Sequence, residues 1–434
     1  MDIKTVTVIG VTGTMGANVA GIFASFGEAK VYALGRDFEK VKNTIPRIVK
    51  SVRTDSISKN ITPADFSMIE QCIAESDLVF ESSAENIEIK KSIHKNIAKY
   101  LRSDAIACSG TSGLSITEMA ECYSDELRKN FFGVHMFNPP YSMSLCELTP
   151  TRYSDSNLLA SLHSYLEEKL YRTVVEVEDS PAFLANRIGL HTINEALKAA
   201  EEHKKNGGID YIDAILGPFT GRNMAPVETA DFIGLDVHKA VIDNIHDNTK
   251  DYANDDFVLP TYVEGLIAEG KLGKKTKEGL YRLEKKGDGS RKIYVYDIET
   301  NKYRDLSIYD IPFAKNMKKL ISEGDYNEAF KILLNDSSKE AKMCVEFLLK
   351  YIVYSLFVAD EIGESVQAAD DAMATGFNWC PPLALYQAFA TVVDVESLIR
   401  ERIPNIIEKV NWKSLSSKII PSNYDYRSFF RSGK

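Results

Sequence analysis

The sequence has 434 residues, of which 44% are hydrophobic and 26% are charged, a composition typical of globular proteins. At about 150 residues per domain, this length predicts about three domains. The formal net charge is -10 and no block of Lys and Arg dominates any region, which disfavours a nucleic-acid-binding protein. Six scattered cysteines form no Cys-x-x-Cys pair, and no cluster has metal-ligand spacing, so we predict neither a disulfide framework nor a metal site.

The first residues and the lengths of the apolar stretches indicate the cellular compartment of the protein. The opening segment MDIKTVTVIG enters a strand-like run without a charged region followed by a long apolar one, so no secretion signal is indicated. Strongly apolar stretches such as 351–359 are too short to cross a bilayer. We therefore expect a soluble, cytoplasmic protein with no membrane partner.

Strand and helix patterns alternate through residues 1–178. An apolar helix is predicted over 15–26, and two charged amphipathic helices are predicted between 37 and 74, joined by a turn at 60–63. Because such alternation is typical of βαβ units, we predict one α/β domain with a parallel sheet. Runs of β-branched and aromatic residues predict its strands over 4–10, 30–35, 77–81, 105–109 and 131–137.

Helical patterns dominate the remainder of the chain. The turn-forming residues at 179–181 begin a mainly helical region over 179–282. A polar stretch that contains a Tyr-rich, hairpin-like run predicts a linker or insertion over 283–340. A second helical region follows over 341–434.

The second helical region repeats the order of features found in the first. In each, an apolar helix precedes an Asp-Ala pair and then a Pro-initiated helix. Asp213 thereby matches Asp371, and Pro226 matches Pro382. We interpret the additional length as a duplicated helical lobe.

A glycine-rich loop lies between the first predicted strand and helix. Gly10, Gly13 and Gly16 have the spacing G-x-x-G-x-x-G, one residue longer than the usual G-x-G-x-x-G fingerprint, and enclose Thr14 and Met15. Glycines at such a turn let backbone N–H groups approach a pyrophosphate at a helix N-terminus. The loop therefore predicts dinucleotide binding.

The end of the second strand normally indicates which dinucleotide binds, because an acidic side chain there accepts hydrogen bonds from the ribose. Gly35 occupies that position, and Arg36 follows it. An Arg at this point would pair with a 2′-phosphate and favour NADP, whereas Asp37 would restore NAD binding if the loop is shifted. The residues leave both cofactors open.

Seven segments in this order resemble the 3-hydroxyacyl-CoA dehydrogenase family, over nearly the whole chain. The resemblance implies a Rossmann-type α/β domain followed by two mainly helical lobes similar to the C-terminal domain of 6-phosphogluconate dehydrogenase. It also implies the NAD-dependent interconversion of (3S)-3-hydroxyacyl-CoA and 3-oxoacyl-CoA in fatty acid oxidation. The segments are GTMGANVA, DLVFESSAENIEIKKSI, ACSGTSGLSITEMA, GVHMFNPPYSMSLCEL, DSPAFLANRI, APVETADFIGLD and KLGKKTKEGLYR.

The resemblance assigns roles to four residues. Oxidation of a hydroxyl requires a base for the O–H proton, and an unperturbed imidazole titrates at about 6.5, so His135 is the candidate base. Glu147 resembles the family's carboxylate partner of that histidine. Ser112 and Asn186 resemble the polar residues that hold the substrate oxygen and the reacting groups.

Further residues resemble binding positions. Glu85, Lys90 and Asn138 are similar to cofactor-contacting residues. Arg47 and Lys50 lie on the first charged helix and either meet the phosphates of an acyl-CoA substrate or form a solvated face.

The chain also departs from the family pattern. Gly35 replaces an acid, Gly110 replaces Asn, and Ala182 and Lys277 replace glycines. These changes leave two alternatives open, the same reaction with NADP(H) and a non-catalytic member that binds CoA or nucleotide. Single-lobed members pair through their helical domains, so we expect either a homodimer or a monomer in which the second lobe replaces a partner's lobe.

Overall fold

The computed structural model describes residues 2–285 and 289–431. Its contacts divide the chain into two compact units. The first contains residues 1–183 together with 362–364, and the second contains 184–361 and 365–434. The first boundary lies five residues beyond the predicted end of the α/β domain at 178.

The first unit is an α/β domain built on one eight-stranded sheet. Its strands are β1 (Thr5–Ile9), β2 (Lys30–Gly35), β3 (Ile61–Asp65), β4 (Leu78–Glu81), β5 (Ile106–Ser109), β6 (Phe131–Met136), β7 (Leu145–Thr149) and β8 (Thr173–Glu176). Its helices are α1 (Thr14–Ser25), α2 (Phe38–Val52), α3 (Ile69–Ala74), α4 (Ile87–Ile97), α5 (Ile116–Ala120) and α6 (Ser156–Ser164).

The strand order is β3-β2-β1-β4-β5-β6-β7-β8, and every pair from β3 to β6 is parallel. The first six strands thus have the order 3-2-1-4-5-6 of a doubly wound dinucleotide-binding sheet. The predicted Rossmann-type fold is confirmed. β7 pairs antiparallel with β6 and parallel with β8, an extension that the sequence patterns do not indicate.

The turn predicted at 60–63 is wrong, because this segment begins β3. Ile61 to Asp65 pair in parallel with Val31 to Gly35 at the edge of the sheet. Pro63 is compatible with this strand because an edge strand does not require an N–H at every position. The Pro and the polar neighbours of this short strand suggested a turn instead.

The second unit is mainly helical. Its helices are α7 (Ala185–Glu202), α8 (Ile209–Ile215), α9 (Pro226–Ile233), α10 (Leu235–Asn248), α11 (Thr261–Ala268), α12 (Pro312–Glu323), α13 (Tyr326–Asn335), α14 (Lys339–Ile362), α15 (Gln367–Ala372), α16 (Pro382–Ala390), α17 (Val395–Arg402), α18 (Pro404–Ile407) and α19 (Trp412–Ser416). The last residue of α14, Ile362, belongs to the first unit by its contacts.

The region predicted as a linker or insertion, 283–340, contains regular structure. It carries most of a three-stranded antiparallel sheet in the order β11-β10-β9, as well as α12 and α13. The strands are β9 (Tyr281–Lys285), β10 (Arg291–Asp297) and β11 (Lys302–Asp305). Part of the predicted polar stretch, 286–288, lies outside the described residues.

Equivalent aspartates cap helices in the two lobes of this unit. Asp213 accepts hydrogen bonds from the N–H groups of Val227 and Glu228 at the start of α9, each at 2.9 Å. Asp370 accepts one from the N–H of Leu383 at the start of α16, at 2.7 Å. The hydrogen bonds therefore match Asp213 with Asp370, one residue before the position that the sequence pattern selects.

The two lobes also pack through a buried cation. Arg222 of the first lobe is 1% exposed. Its guanidinium carbon lies 5.2, 5.3 and 4.9 Å from the ring centroids of Phe347, Tyr351 and Trp379 of the second lobe. Because guanidinium groups bind favourably to aromatic faces, this contact stabilises the two lobes against each other within one chain.

The capping aspartates predict a pH dependence of stability. Burial raises the pKa of Asp213 and of Asp370 to about 7, against about 4 in an unfolded chain. Between about pH 4 and 7 the folded state keeps a proton on each aspartate that the unfolded state releases. The contribution of this proton to the free energy of unfolding is therefore full below about pH 4 and is lost as the pH rises to about 7. In Asp213→Asn and Asp370→Asn we expect this loss of stability with rising pH to shrink, by at most about 1.4 kcal/mol per pH unit. Thermal unfolding between pH 5 and 8 measures the pH dependence of stability in each variant and in the wild type. A difference in stability between variant and wild type that is the same at every pH would contradict the raised pKa values.

Among the described residues, no single helix combines the length and apolarity needed to cross a membrane. The consecutive helices α16 and α17 satisfy these criteria only as a pair, and they are bent by 104°.

Candidate active site

The glycine loop folds as a cradle at the N-terminus of α1. Gly10 has a φ of +92°, and a Cβ there would lie 2.2 Å from the carbonyl oxygen of Ser82. A Cβ on Gly16 would lie 2.4 Å from the carbonyl oxygen of Gly10. Both positions therefore require glycine, for the turn and for the close approach of helix to strand.

The start of α1 also offers free donors. Gly13 is the N-cap and provides no side chain to cap the helix. The first N–H groups of a helix, here those of Thr14, Met15 and Gly16, have no partner within it and form an anion site together with the helix dipole. The additional loop residue leaves this arrangement in place, and the cradle fits a dinucleotide pyrophosphate.

The end of β2 has no acid facing the loop. A Cβ on Gly35 would lie 2.6 Å from Cγ2 of Val41, so the packing of α2 excludes a side chain there. Asp37 accepts a hydrogen bond from the Lys40 N–H at 3.0 Å and caps α2. Arg36 is exposed, and no hydrogen bond or ion pair is found for its side chain within the described part of the chain.

The two cations predicted to meet CoA differ in their surroundings. Arg47 Nη2 donates to the carbonyl oxygens of Thr12 and Gly13, each at 3.3 Å, and so supports the glycine loop. Lys50 is exposed on α2. Binding of CoA phosphates by either residue stays a prediction.

His135 and Glu147 form a buried pair across two strands. The antiparallel register of β6 and β7 places them directly opposite each other. Nδ1 of His135 lies 2.7 Å from Oε2 of Glu147, and the two residues are 6% and 0% exposed. A carboxylate at this distance accepts the Nδ1 proton, fixes that tautomer and leaves Nε2 free to accept a proton.

Aromatic rings hold the histidine in place. The ring of Phe137 lies edge-to-face on His135 with centroids 4.6 Å apart, and that of Phe183 is 5.7 Å away. These contacts restrict the imidazole to one orientation and limit the access of water.

Ser112 and Glu85 meet in a second polar cluster. Glu85 Oε1 accepts hydrogen bonds from the Thr111 hydroxyl at 2.5 Å and from the Ser112 N–H at 2.7 Å. Lys90, which is 1% exposed, lies 3.5 Å from Glu85 Oε2. The structure thus brings three of the predicted site residues together.

The same cluster contains a residue that the sequence analysis missed. Glu81, at the end of β4, is completely buried and lies 3.1 Å from Nζ of Lys90. Its signal in the sequence was an acid that closes an otherwise apolar strand, DLVFE.

The two asparagines lie in different units. Asn138 is exposed and accepts a hydrogen bond from Asn18 of α1 at 3.1 Å. Asn186 is the second residue of α7, in the second unit. The roles predicted for both stay predictions.

One group of side chains has the composition of a metal site. His163, Glu176 and Glu364 offer ligand atoms that all lie within 4.8 Å of one another. They come from α6, β8 and the 362–364 segment, so no sequence spacing connects them. The predicted absence of a metal stays a prediction.

Two family descriptions match the chain. "3-hydroxyacyl-CoA dehydrogenase, NAD binding domain" matches residues 5–180, and "3-hydroxyacyl-CoA dehydrogenase, C-terminal domain" matches residues 183–283. The matches cover the unit that carries the glycine loop and the first helical lobe.

Similar proteins cover the chain to different extents. A probable 3-hydroxyacyl-CoA dehydrogenase of Bacillus subtilis is 28% identical over 91% of this chain, but the chain spans about half, 52%, of that relative. The mitochondrial hydroxyacyl-coenzyme A dehydrogenase of Sus scrofa is 30% identical over 65% of this chain and 92% of its own length. The crystal structure of 3-hydroxybutyryl-CoA dehydrogenase from Escherichia coli K12 covers 98% of this chain and 97% of its own, with a TM-score of 0.67 and 21% identity, and so shares the fold.

Proposed function

Because the chain belongs to the 3-hydroxyacyl-CoA dehydrogenase family, we propose that it interconverts (3S)-3-hydroxyacyl-CoA and 3-oxoacyl-CoA with NAD(H). The observation that carries this proposal is the buried contact of 2.7 Å between His135 and Glu147. A histidine whose Nδ1 is held by a carboxylate is suited to exchange a proton with a substrate hydroxyl through Nε2.

In the oxidation direction, the O–H and C–H bonds at the hydroxyl-bearing carbon both break. Nε2 of His135 takes the proton from the hydroxyl. The hydrogen on the carbon leaves as hydride with both electrons of the C–H bond, and the C–O bond becomes the carbonyl of the ketone. Bound NAD supplies the hydride acceptor. Glu147 stabilises the imidazolium that forms, and the reverse reduction returns the same proton to the oxygen.

We assign supporting roles to two further residues. The Ser112 backbone is fixed by Glu85, which leaves the Ser112 hydroxyl to hydrogen-bond the substrate oxygen. Asn186 is proposed to hold the reacting groups, as the family resemblance implies.

The cofactor loop also supports a second candidate, the same reaction with NADP(H). The acid that would select NAD is absent at Gly35, Asp37 caps α2, and the Arg36 side chain remains available to a 2′-phosphate. Parallel assays of acetoacetyl-CoA reduction with NADH and with NADPH decide between the two candidates. Turnover with neither cofactor would support a non-catalytic member that binds CoA or nucleotide.

Arg36→Asp is expected to shift the ratio of kcat/KM for NADH to that for NADPH toward NADH, by about tenfold or more, because attraction to the 2′-phosphate becomes repulsion. Lys42→Asp makes the same charge change at an exposed position on α2 and is the matched control. If the two variants give the same ratio as the wild type, Arg36 does not contact this part of the cofactor.

A further inference from the structure

We infer that Glu81 is a positioning residue for cofactor binding. Its buried carboxylate fixes Lys90, Lys90 in turn holds Glu85, and Glu85 holds the backbone at Ser112. This inference rests on the proposed function, in which Ser112 holds the substrate oxygen, and on the predicted cofactor contacts of Glu85 and Lys90.

Glu81 is buried as a charged group. Transfer of a carboxylate out of water costs several kcal/mol unless partners compensate for it. Glu81 accepts hydrogen bonds from Lys90 Nζ at 3.1 and 3.2 Å, from the Ser109 hydroxyl at 2.7 Å and from the Ser83 N–H at 2.6 Å. Burial alone would raise the pKa of Glu81, but the adjacent His94 and Lys90 outweigh it and hold that pKa well below its usual range.

Lys90 lies between two carboxylates of different exposure. Glu81 is 0% exposed, whereas the Glu85 side chain, 3.5 Å from Nζ, is 46% exposed. Lys90 itself is 1% exposed, so its ammonium group depends on these two anions in place of water. The buried anion fixes the position of the cation, and the cation orients the exposed carboxylate.

Glu85 transmits this position to the Ser112 loop. One of its oxygens faces Lys90, and the other accepts hydrogen bonds from the Thr111 hydroxyl and the Ser112 N–H. The loop after β5 is thus connected to the end of β4 by a continuous series of charged and hydrogen-bonded groups, each with a defined partner.

Titratable groups surround Lys90 from β4 and from residues in and around α4. Glu81 approaches from β4, Glu85 from the residues before α4, and His94 lies one turn further along α4, with Nε2 3.4 Å from Glu81 Oε2. Tyr123 lies behind His94, 2.9 Å from its Nδ1. Burial lowers the pKa of His94 and so disfavours a second cation beside Lys90.

A substitution that keeps the shape of Glu81 and removes its charge separates positioning from packing. In Glu81→Gln, Lys90 remains buried and keeps only the half-exposed Glu85 as its anion. An ammonium group that is buried with less compensation loses its proton more readily as the pH rises. The effect of the variant on the cofactor site should therefore depend on pH, whereas a loss of packing should not.

The experiment is NADH binding by fluorescence titration at pH 6 to 9, with no acyl-CoA present. Relative to the wild type, we expect Glu81→Gln to bind NADH about tenfold more weakly at pH 9 and to recover part of this loss at pH 6. The double variant Glu81→Gln/Lys90→Met removes both charges, and its weakened binding should show no such pH dependence.

Asp77→Asn is the matched control, because Asp77 accepts hydrogen bonds from the Lys4 and Thr5 N–H groups and pairs with Arg102 outside this cluster. It should lower the melting temperature and leave the pH profile of NADH binding unchanged. Wild-type affinity in folded Glu81→Gln, or a weakening that is equal at every pH, would overturn the inference alone. A wild type that binds neither NADH nor NADPH would overturn the proposed function with it.

Discussion

His135→Gln is expected to lower kcat by about 10³-fold or more, because glutamine cannot take up the hydroxyl proton. His135 is 6% exposed and packs against aromatic rings, so an amide of similar size should leave the fold intact. Steady-state reduction of acetoacetyl-CoA measures the rate, and circular dichroism together with the NADH dissociation constant shows that the first unit is intact.

Glu147→Gln probes the same pair from its other side. The amide oxygen can still accept the Nδ1 proton, but its negative charge is lost, so the imidazolium that forms during oxidation is less stable. We expect kcat to fall by about 10²–10⁴-fold with a smaller change in KM.

His246→Gln is the matched control for these variants, since it makes the same change at a half-exposed site on α10 and should retain wild-type kcat. If His135→Gln also retains the wild-type rate, the pair is not the acid–base group, and the non-catalytic alternative gains support.

The sequence predicted the chemistry of this pair more completely than its geometry. His135 and Glu147 were identified from one segment, GVHMFNPPYSMSLCEL, but nothing in that segment showed that β6 and β7 are antiparallel and in register at these two residues. β7 was not predicted as a strand, because its five residues, LCELT, are few and do not alternate strictly between polar and apolar. The distance of 2.7 Å is a consequence of strand pairing, which is a long-range property.

Two departures from the family pattern are local and have a physical explanation. Ala182 and Lys277 stand where the family has glycines, and both have a positive φ, +63° and +66°. The backbone therefore keeps a left-handed conformation, at a cost of about 1 kcal/mol for each side chain. From the sequence alone, these replacements could equally have indicated a changed loop.

The fold of the first unit followed from local patterns where strands were apolar and long. The prediction of a turn at 60–63 was wrong because Pro and polar residues are typical of turns and equally of a short edge strand. Glu81 was missed for a related reason. An acid at the end of an apolar strand is only a weak signal, because the partners that compensate its burial, here Lys90 and Ser109, are brought to it by the fold.

Gly10→Ala is expected to destabilise the first unit by about 3 kcal/mol and to abolish measurable NADH binding. A left-handed conformation costs a non-glycine residue about 1–2 kcal/mol, and overpacking adds a similar amount. The Cβ would lie 2.2 Å from the backbone oxygen of Ser82, which cannot move without distorting the loop at the end of β4. For a unit of this size the melting temperature should fall by about 6–12 °C.

Gly13→Ala is the control for this change within the same loop. Gly13 has a φ of −77°, and its Cβ would meet only the Gly10 carbonyl oxygen, at 3.3 Å. The melting temperature of the Gly13→Ala variant should therefore stay within a few degrees of that of the wild type. A methyl group beside the N-terminus of α1 should nevertheless weaken NADH binding. Equal melting temperatures for Gly10→Ala and Gly13→Ala would show that the loop relaxes, and that the close approach to Ser82 does not make glycine necessary at position 10.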